Sequence, residues 1–569
     1  MYTINKNKMK NSAIYFITSL SVGVAVTYLS LGGLSRVNPR RYDWILGDNT
    51  TSYIAQLFYL EDKWRLPLTA NPNYGHEFAT NLMHTGPAVP LALIQKILRI
   101  NPELQFFGFW FIIIFSLQVF LGLKIAREMK ANWLIAVPFS ILTITPYILA
   151  KSQMHFWLIP HFLILWAILI IIRYFKNYKL QTLHSVFLIC TSYTLAPYIM
   201  VMVSFMLLYV VAIEYFHRKK LTSKVVLHLI YLASSLFALI WLLDGFSREP
   251  TLYESIKMNF PGPHYGRFGY NLLSFINPNL GLRVNYLGKD NPEYLSENFS
   301  ISNLSLGSTP GSYEGYLYLG FGLIFLFIIL FYMSYKKKIK LFQISDSVTR
   351  KITCLFVIVI IIYSVTQNIG IGSFQIKLPF PYLGEWALSP FRTSGRFMWV
   401  IGYAAIVFCF IKLYEISSKK SITIIIWVAL LIQLVDLSKP MYLRFDALKQ
   451  EKSTILYFND SDINKFQNIA NGHNFVTAYP PGHGSPNWIF LNYWAWKSNI
   501  VTNTNHTGRT NFNKLKRITL EIHKEICTGN LRREALYAIS KENLASFEDC
   551  DLSSLNSQTI GDEIFYWSP

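Results

Sequence analysis

Cysteine is scarce in this chain, with five residues in 569. Cys190, Cys354 and Cys409 fall in apolar stretches and are expected to be inert core residues. Cys527 and Cys550 fall in the polar C-terminal part, where a disulfide is open to them if that part lies outside the cytosol. Signatures of soluble enzymes are missing too. There is no Walker loop and no dinucleotide fingerprint. "HEFAT" (76–80) lacks the second histidine of a zinc protease, and "YPPGHGSPNW" (479–488) matches no nucleophile elbow. "DSD" at 460–462 has the outline of a metal-binding pair, but it precedes "INKF", where capping a helix is the simpler reading. No metal and no cofactor is therefore expected. No long internal repeat or low-complexity tract is visible. Charge is thin at 15%, yet its balance is +20. That sum does not describe a nucleic-acid binder, because the Lys and Arg residues cluster in short loops between apolar runs.

Apolar residues, in contrast, make up 52% of the chain. They form continuous runs near 12–33, 105–123, 132–150, 156–172, 183–195, 197–215, 225–243, 315–333, 352–368, 396–412 and 422–437. Only helices and closed barrels satisfy their backbone inside lipid, and continuous rather than alternating runs select helices. We therefore expect an all-α polytopic membrane protein with about 11 transmembrane helices. The first run, behind Lys6, Lys8 and Lys10, is long for a signal peptide and lacks a clear small-x-small cleavage site, so it reads as a retained helix. The basic loops are Lys124/Arg127/Lys130, Arg173/Lys176/Lys179, Arg218/Lys219/Lys220/Lys224, Lys336/Lys337/Lys338/Lys340 and Lys412/Lys419/Lys420. All fall on one side, with the N-terminus, if the region around Pro197 holds two short spans. This orientation puts the N-terminus in the cytoplasm. It also divides the chain into a membrane domain, 1–437, with outer loops 34–104 and 244–314, and a small extracytoplasmic α/β domain, 438–569.

The outer loops carry the candidate chemistry. "WILGDNTTSY" (44–53) places Asp48 before a helical stretch, where an acid caps free N–H groups and the dipole keeps it ionised. An ionised acid is also what a general base requires. In the following stretch Ile54, Leu57, Phe58 and Trp64 share roughly one helical face, which suits an amphipathic helix at the membrane interface. "GSYEGYLYLGFG" (311–322) puts Glu314 at the outer end of a span, where hydrogen bonds to Tyr313 and Tyr316 are the plain expectation. "LSPFRTSGRFMWV" (388–400) puts Arg392 and Arg396 four residues apart, on one face if both are helical. Outer-side arginines either snorkel to headgroups or clamp a phosphate. The N-x-S/T sequons, Asn49 and Asn298 among them, matter only in a glycosylating compartment.

"GDNTTSY", "FYLEDKWRLPL", "NPNYG", "YEGYLYLG" and "FRTSGRF", in this order over roughly residues 40 to 400, resemble a bacterial family designated DUF6311, grouped with membrane glycosyltransferases of the GT-C fold. The resemblance implies a GT-C-like fold and transfer of a sugar, at the outer face of the bacterial inner (cytoplasmic) membrane, from a polyprenyl-phosphate donor to a cell-surface glycan or lipid acceptor, with inversion at the anomeric carbon. It implies Asp48 as the catalytic base, with Asp43 the weaker alternative. It assigns Arg392 and Arg396 to the donor phosphate, and Glu314, Tyr313, Asn73, Tyr74 and His84 to the substrate. Two arginines would suffice for a monophosphate leaving group without a metal. Two other classes stay open. A flippase or transporter of lipid-linked glycans predicts ionisable residues in mid-span, and the apolar runs carry almost none. A polysaccharide ligase or polymerase predicts an Arg- and His-rich outer loop, and 244–314 offers Arg248, Arg267, Arg283 and His264.

Overall fold

The computed structural model describes residues 6–42, 44–45, 48–78, 80–85, 89–243, 265–280, 298–302, 304–341, 346–381, 384, 388, 391–449, 460–506 and 512–569. In chain order the helices are α1 (Lys6–Leu31), α2 (Asp48–Glu61), α3 (Val89–Ile97), α4 (Phe107–Glu128), α5 (Trp133–Leu142), α6 (Pro146–Met154), α7 (Phe162–Asn177), α8 (Thr182–Leu195), α9 (Pro197–Arg218) and α10 (Ser223–Leu243). They continue with α11 (Phe321–Lys336), α12 (Ser347–Val365), α13 (Met398–Ile416), α14 (Lys419–Lys449), α15 (Asp460–Ala470), α16 (Trp488–Lys497) and α17 (Phe512–Cys527). The contacts divide the chain into two compact units.

The first unit comprises 1–41, 106–237 and 262–452 and is almost wholly helical. Each apolar run of the sequence is helical. Among the described residues eight helices are long and apolar enough to cross a membrane, and α5 and α6 are so only when taken together, with a bend of 44° between them. Helices α8 and α11 are apolar but shorter. Near Pro197 the chain forms two helices that pack on each other, α8 and α9, with Ala196 between them and Pro197 in the first turn of α9.

The bend between α5 and α6 leaves backbone groups that lipid cannot satisfy. Buried polar side chains meet them. Gln118 donates to the Thr143 carbonyl at 2.9 Å and to the Tyr403 hydroxyl at 3.1 Å. The same hydroxyl is 3.4 Å from Thr145 Oγ1 and 3.1 Å from His161 Nδ1. The start of α11 is capped from a different helix. Gln433 of α14 accepts from the Gly322 and Leu323 amides, and Asp436 accepts from the Phe321 amide at 2.9 Å and the Tyr318 hydroxyl at 2.8 Å. The orphan N–H groups of one helix are thus answered by side chains of its neighbour.

The second unit comprises 42–105, 238–261 and 453–569. Its centre is a five-stranded sheet of β5 (Phe475–Tyr479), β6 (Val501–Thr502), β7 (Ala535–Ser540), β8 (Asn556–Ile560) and β9 (Glu563–Trp567), after the two small hairpins β1 (Ala70–Asn71)–β2 (Thr80–Asn81) and β3 (Asn368–Ile371)–β4 (Phe374–Lys377) earlier in the chain. The strand order is β6-β5-β7-β9-β8, with β5 parallel to β6 and β7, and β9 antiparallel to β7 and β8. Ile518, Ile522 and Ile526 recur every fourth residue of α17 and bury one stripe against Ala535, Tyr537 and Ile539. Cys527, at the end of α17, is bonded to Cys550.

Residues 42–105, most of the stretch 34–104 read from sequence as an outer loop, cluster with the C-terminal residues. Tyr74 is fully buried and its hydroxyl accepts from the His506 amide at 3.0 Å. Glu77 of the "HEFAT" stretch faces Arg532 at 3.5 Å, and His76 stacks on Phe475. Helix α2 corrects a second expectation. Ile54, Leu57 and Phe58 are buried, as is every residue from Asn49 to Tyr59, and Trp64 lies beyond the helix end. This helix is a core element covered by α16, not an amphipathic helix on a lipid surface.

The disulfide closes a loop of 23 residues across the edge of the α17 core. Replacing both cysteines by serine is expected to lower unfolding stability by about 3 kcal/mol, from the closure entropy of such a loop. Non-reducing peptide mapping with thermal unfolding of the purified protein checks both the bond and the loss.

Candidate functional site

Among the described residues of the first unit, a dense charged cluster is buried. Its centre is Glu314, in a 3-10 turn (Ser312–Gly315), with 6% of its surface exposed. Lys151 donates to Glu314 Oε2 at 2.7 Å. Arg396 donates to the same oxygen from Nε at 3.1 Å and from Nη2 at 2.8 Å. His155 Nε2 lies 3.7 Å from the other oxygen. Lys151 and His155 come from one helical turn, since the His155 amide closes on the Lys151 carbonyl where α6 ends. Lys151 also reaches the Tyr313 carbonyl at 3.4 Å, and the Arg396 guanidinium lies 4.7 Å over the Tyr198 ring. Burial by itself pushes the Glu314 carboxyl up. Arg396 and Lys151 outweigh it and, with His155, hold the group well below the usual carboxylate range.

Backbone contact sets this geometry. Arg396 sits in a second 3-10 turn, Ser394–Phe397, and the two turns touch through their glycines. A Cβ on Gly315 would lie 3.0 Å from Gly395 Cα, and one on Gly395 would lie 2.9 Å from the Phe268 carbonyl. The glycine beside each charged residue lets the two backbones approach closely enough for a direct ion pair. Around the pair, the Thr393 and Ser394 hydroxyls and His161 Nε2 are buried with no hydrogen bond among the described residues. A buried polar atom of this kind asks for a ligand or a water. The cluster thus carries two basic side chains, one carboxylate and several buried polar atoms without a hydrogen bond among the described residues.

The structure brings together two residues that the sequence reading held in separate roles, Glu314 and Arg396. Glu314 is held by cations, while the Tyr316 hydroxyl donates elsewhere, to the Pro278 carbonyl at 2.8 Å. Arg392 precedes the turn and is only half-buried, so the two arginines are not neighbours on one helix face. Tyr313 flanks the cluster through its carbonyl. The remaining candidates belong to the second unit. Asp48 is the first residue of α2. Asn73 is half-buried in the turn between β1 and β2, and Tyr74 is part of the unit's core. His84 ends a 3-10 turn, Leu82–His84. Asp43, Arg248, His264 and Arg283 lie outside the described residues, and Arg267 is exposed. The "DSD" stretch opens α15, as a capping segment would. Sequence reasoning missed Lys151 and His155. The signal was there in "LAKSQMHFW", a lysine at the end of an apolar run, which in lipid calls for a partner.

A family model described as a domain of unknown function (DUF6311) matches residues 20–438. Among solved structures, the chain is similar to ArnT from Cupriavidus metallidurans in the apo state, with 9% identity, a TM-score of 0.46 and 98% of each chain covered. It is also similar to ArnT from the same organism bound to undecaprenyl phosphate, with 10% identity, a TM-score of 0.48 and 97% of each chain covered. No curated relative matches the chain.

Removing the carboxylate leaves Lys151 and Arg396 facing each other without an anion. Glu314→Gln is expected to cost about 3–5 kcal/mol at neutral pH, the range for breaking a buried pair. The folded-state group is depressed, so its contribution is fully present above the unfolded carboxylate range and is lost as pH falls through the lower, folded value. Thermal unfolding of both proteins across pH should show a wide gap at neutrality that closes only in strong acid.

Proposed function

The chain belongs to the DUF6311 family, and from that premise we propose that it is a membrane glycosyltransferase. It takes a sugar from a polyprenyl-phosphate carrier and passes it to a glycan or lipid acceptor. One observation carries the reading: a buried cluster of two basic side chains, Lys151 and Arg396, against a single carboxylate, in a chain of membrane-spanning helices. Buried charges are tolerated when they are paired, and the monoanionic or dianionic head of a lipid phosphate supplies the missing charge. Lys151 has a third donor beyond those used by Glu314 and Tyr313, and Arg396 keeps its Nη1. The Thr393 and Ser394 hydroxyls are further donors to phosphate oxygens. In this reading Glu314 is a positioning residue that aims the two cations.

The chemistry follows from that assignment. The acceptor oxygen forms a bond to the anomeric carbon, and the bond from that carbon to the carrier phosphate oxygen breaks. The electron pair leaves on the phosphate, where fixed cations stabilise it. The proton of the acceptor hydroxyl goes to a carboxylate base, for which Asp48, the first residue of α2, is the candidate. A single displacement inverts the anomeric carbon. Basic loops on the cytoplasmic side and a disulfide at Cys527–Cys550, a bond that persists in oxidising compartments, support an extracytoplasmic C-terminal part and residence in a bacterial inner membrane.

Comparative glycan mass spectrometry of cells with and without the gene is expected to show loss of one added sugar. Joined chains would instead identify a ligase. With purified protein and a synthetic polyprenyl-phosphate sugar, Asp48→Asn is expected to lower turnover at least ~100-fold, the scale of general-base catalysis, with unchanged thermal stability. The pair Thr393→Ala and Ser394→Ala should raise KM for the donor more than it lowers kcat. Turnover of Asp48→Asn equal to wild type would remove Asp48 as the base.

A further inference from the structure

The β3–β4 hairpin of the first unit carries its apolar face outward. In an antiparallel pair, residues directly opposite each other point to the same side of the sheet, and neighbours along a strand point to opposite sides. The register pairs Ile371 with Phe374 and Ile369 with Ile376, so these four share one face. Gly370 with Gln375 and Asn368 with Lys377 make the other. It is this second, more polar face that rests on the protein. The Asn368 side chain donates to the Gly266 carbonyl at 3.0 Å. A Cβ on Gly370 would lie 2.7 Å from Thr309 Oγ1, so only a glycine lets the strand approach that closely. Asn271 clasps the tip, donating to the Gly372 carbonyl at 2.8 Å and accepting from the Gly372 amide at 3.0 Å.

The first face is left open. Phe374 is 64% exposed, and Ile371 and Ile376 are exposed with it. The Leu378 amide extends the ladder by one bond, to the Gln367 carbonyl at 2.9 Å, and Leu378 and Phe380 are exposed too. A sheet facing water on one side does the reverse and turns its polar residues out. Single exposed apolar side chains are ordinary, but a row of them backed by a firmly held polar face marks an interaction surface. Its position in the chain names what covers it. Helix α12 is long and apolar enough to cross a membrane, and its exposed residues Leu355, Ile358, Val359 and Ile362 recur at helical spacing. It ends at Val365, and β3 begins at Asn368. At roughly 3.3 Å per residue the hairpin starts within about 10 Å of the end of the span, a distance comparable to the depth at which interfacial elements bury. Tyrosines mark the same level. Tyr363, in the last turn of α12, stacks on Tyr265 at 5.5 Å, and Tyr265 lies 5.8 Å from Phe380.

We propose that the β3–β4 hairpin inserts its Phe374 face into the lipid leaflet beside α12, as an interfacial anchor separate from the spanning helices. The anchor bears on the charged cluster. The Ser312 amide donates to the carbonyl of Thr309, the residue packed under Gly370, at 3.1 Å, and Ser312 opens the turn that holds Glu314. A hairpin held at a fixed depth therefore sets the height of Glu314 relative to the headgroups. The test reads depth rather than turnover, so it stands apart from the transfer reaction. Full-length protein carrying Cys190→Ala, Cys354→Ala and Cys409→Ala, which leaves the Cys527–Cys550 bond in place, is reconstituted in nanodiscs of phosphatidylethanolamine and phosphatidylglycerol. Nitroxide labels are attached at Phe374→Cys, Ile376→Cys and Lys377→Cys, exposed positions where a cysteine removes little packing. Collision with oxygen, which partitions into lipid, is compared with collision with a water-soluble nickel chelate. The oxygen-to-nickel ratio is expected to be several-fold higher at 374 and 376 than at 377, on the opposite face. The proposal is overturned if the labels at 374 and 376 favour the nickel chelate, if they collide with neither and are thus covered by protein such as a second copy of the chain, or if the ratio fails to alternate between 376 and 377.

Discussion

The ion pair between Glu314 and Arg396 is the constraint on which the first unit's interior depends. It joins two short turns that are far apart in the chain, and Lys151 adds a third segment to the same carboxylate oxygen. A carboxylate in such a place is stable only when ionised and surrounded, so the positions of α6 and of both turns are coupled through it. The neighbouring glycines belong to the same constraint. Their backbone contact fixes how near the charged side chains can come, and the orphan hydroxyls of Thr393 and Ser394 follow from that tight turn.

Around this centre, the polar groups of the membrane unit serve broken or starting helices. Gln118 and Tyr403 attend the bend between α5 and α6, and Gln433 and Asp436 attend the start of α11. In each case the side chain comes from a neighbouring helix, so the hydrogen bond that completes one element also fixes its packing against another. Without these residues the exposed backbone would have to face lipid, at a cost of several kcal/mol for each group.

Helix existence in the membrane unit was legible from sequence because continuous apolar runs have one physical solution in lipid. The charged motifs "YEG" and "SGR" were legible as special, but not their pairing. That contact depends on two turns meeting, and no periodicity encodes it. Lys151 was hidden by its place at the end of an apolar run, where a lysine reads equally well as a snorkelling residue. The apolar face of α2 was visible, and its cover was not. A stripe of Ile54, Leu57 and Phe58 suits a lipid surface or a protein core equally, and only the distant helix α16 decides.

The assembly of the second unit from both ends of the chain bears on its biosynthesis. From Asn49 to Tyr59 every residue of α2 is buried in the finished protein, yet α16, which packs on it, is made late. During synthesis α2 leaves the ribosome long before α16 exists, so one side of it waits for its cover. A chain released early therefore displays an apolar segment that a complete chain conceals, and quality control can sort finished molecules from unfinished ones by that segment alone.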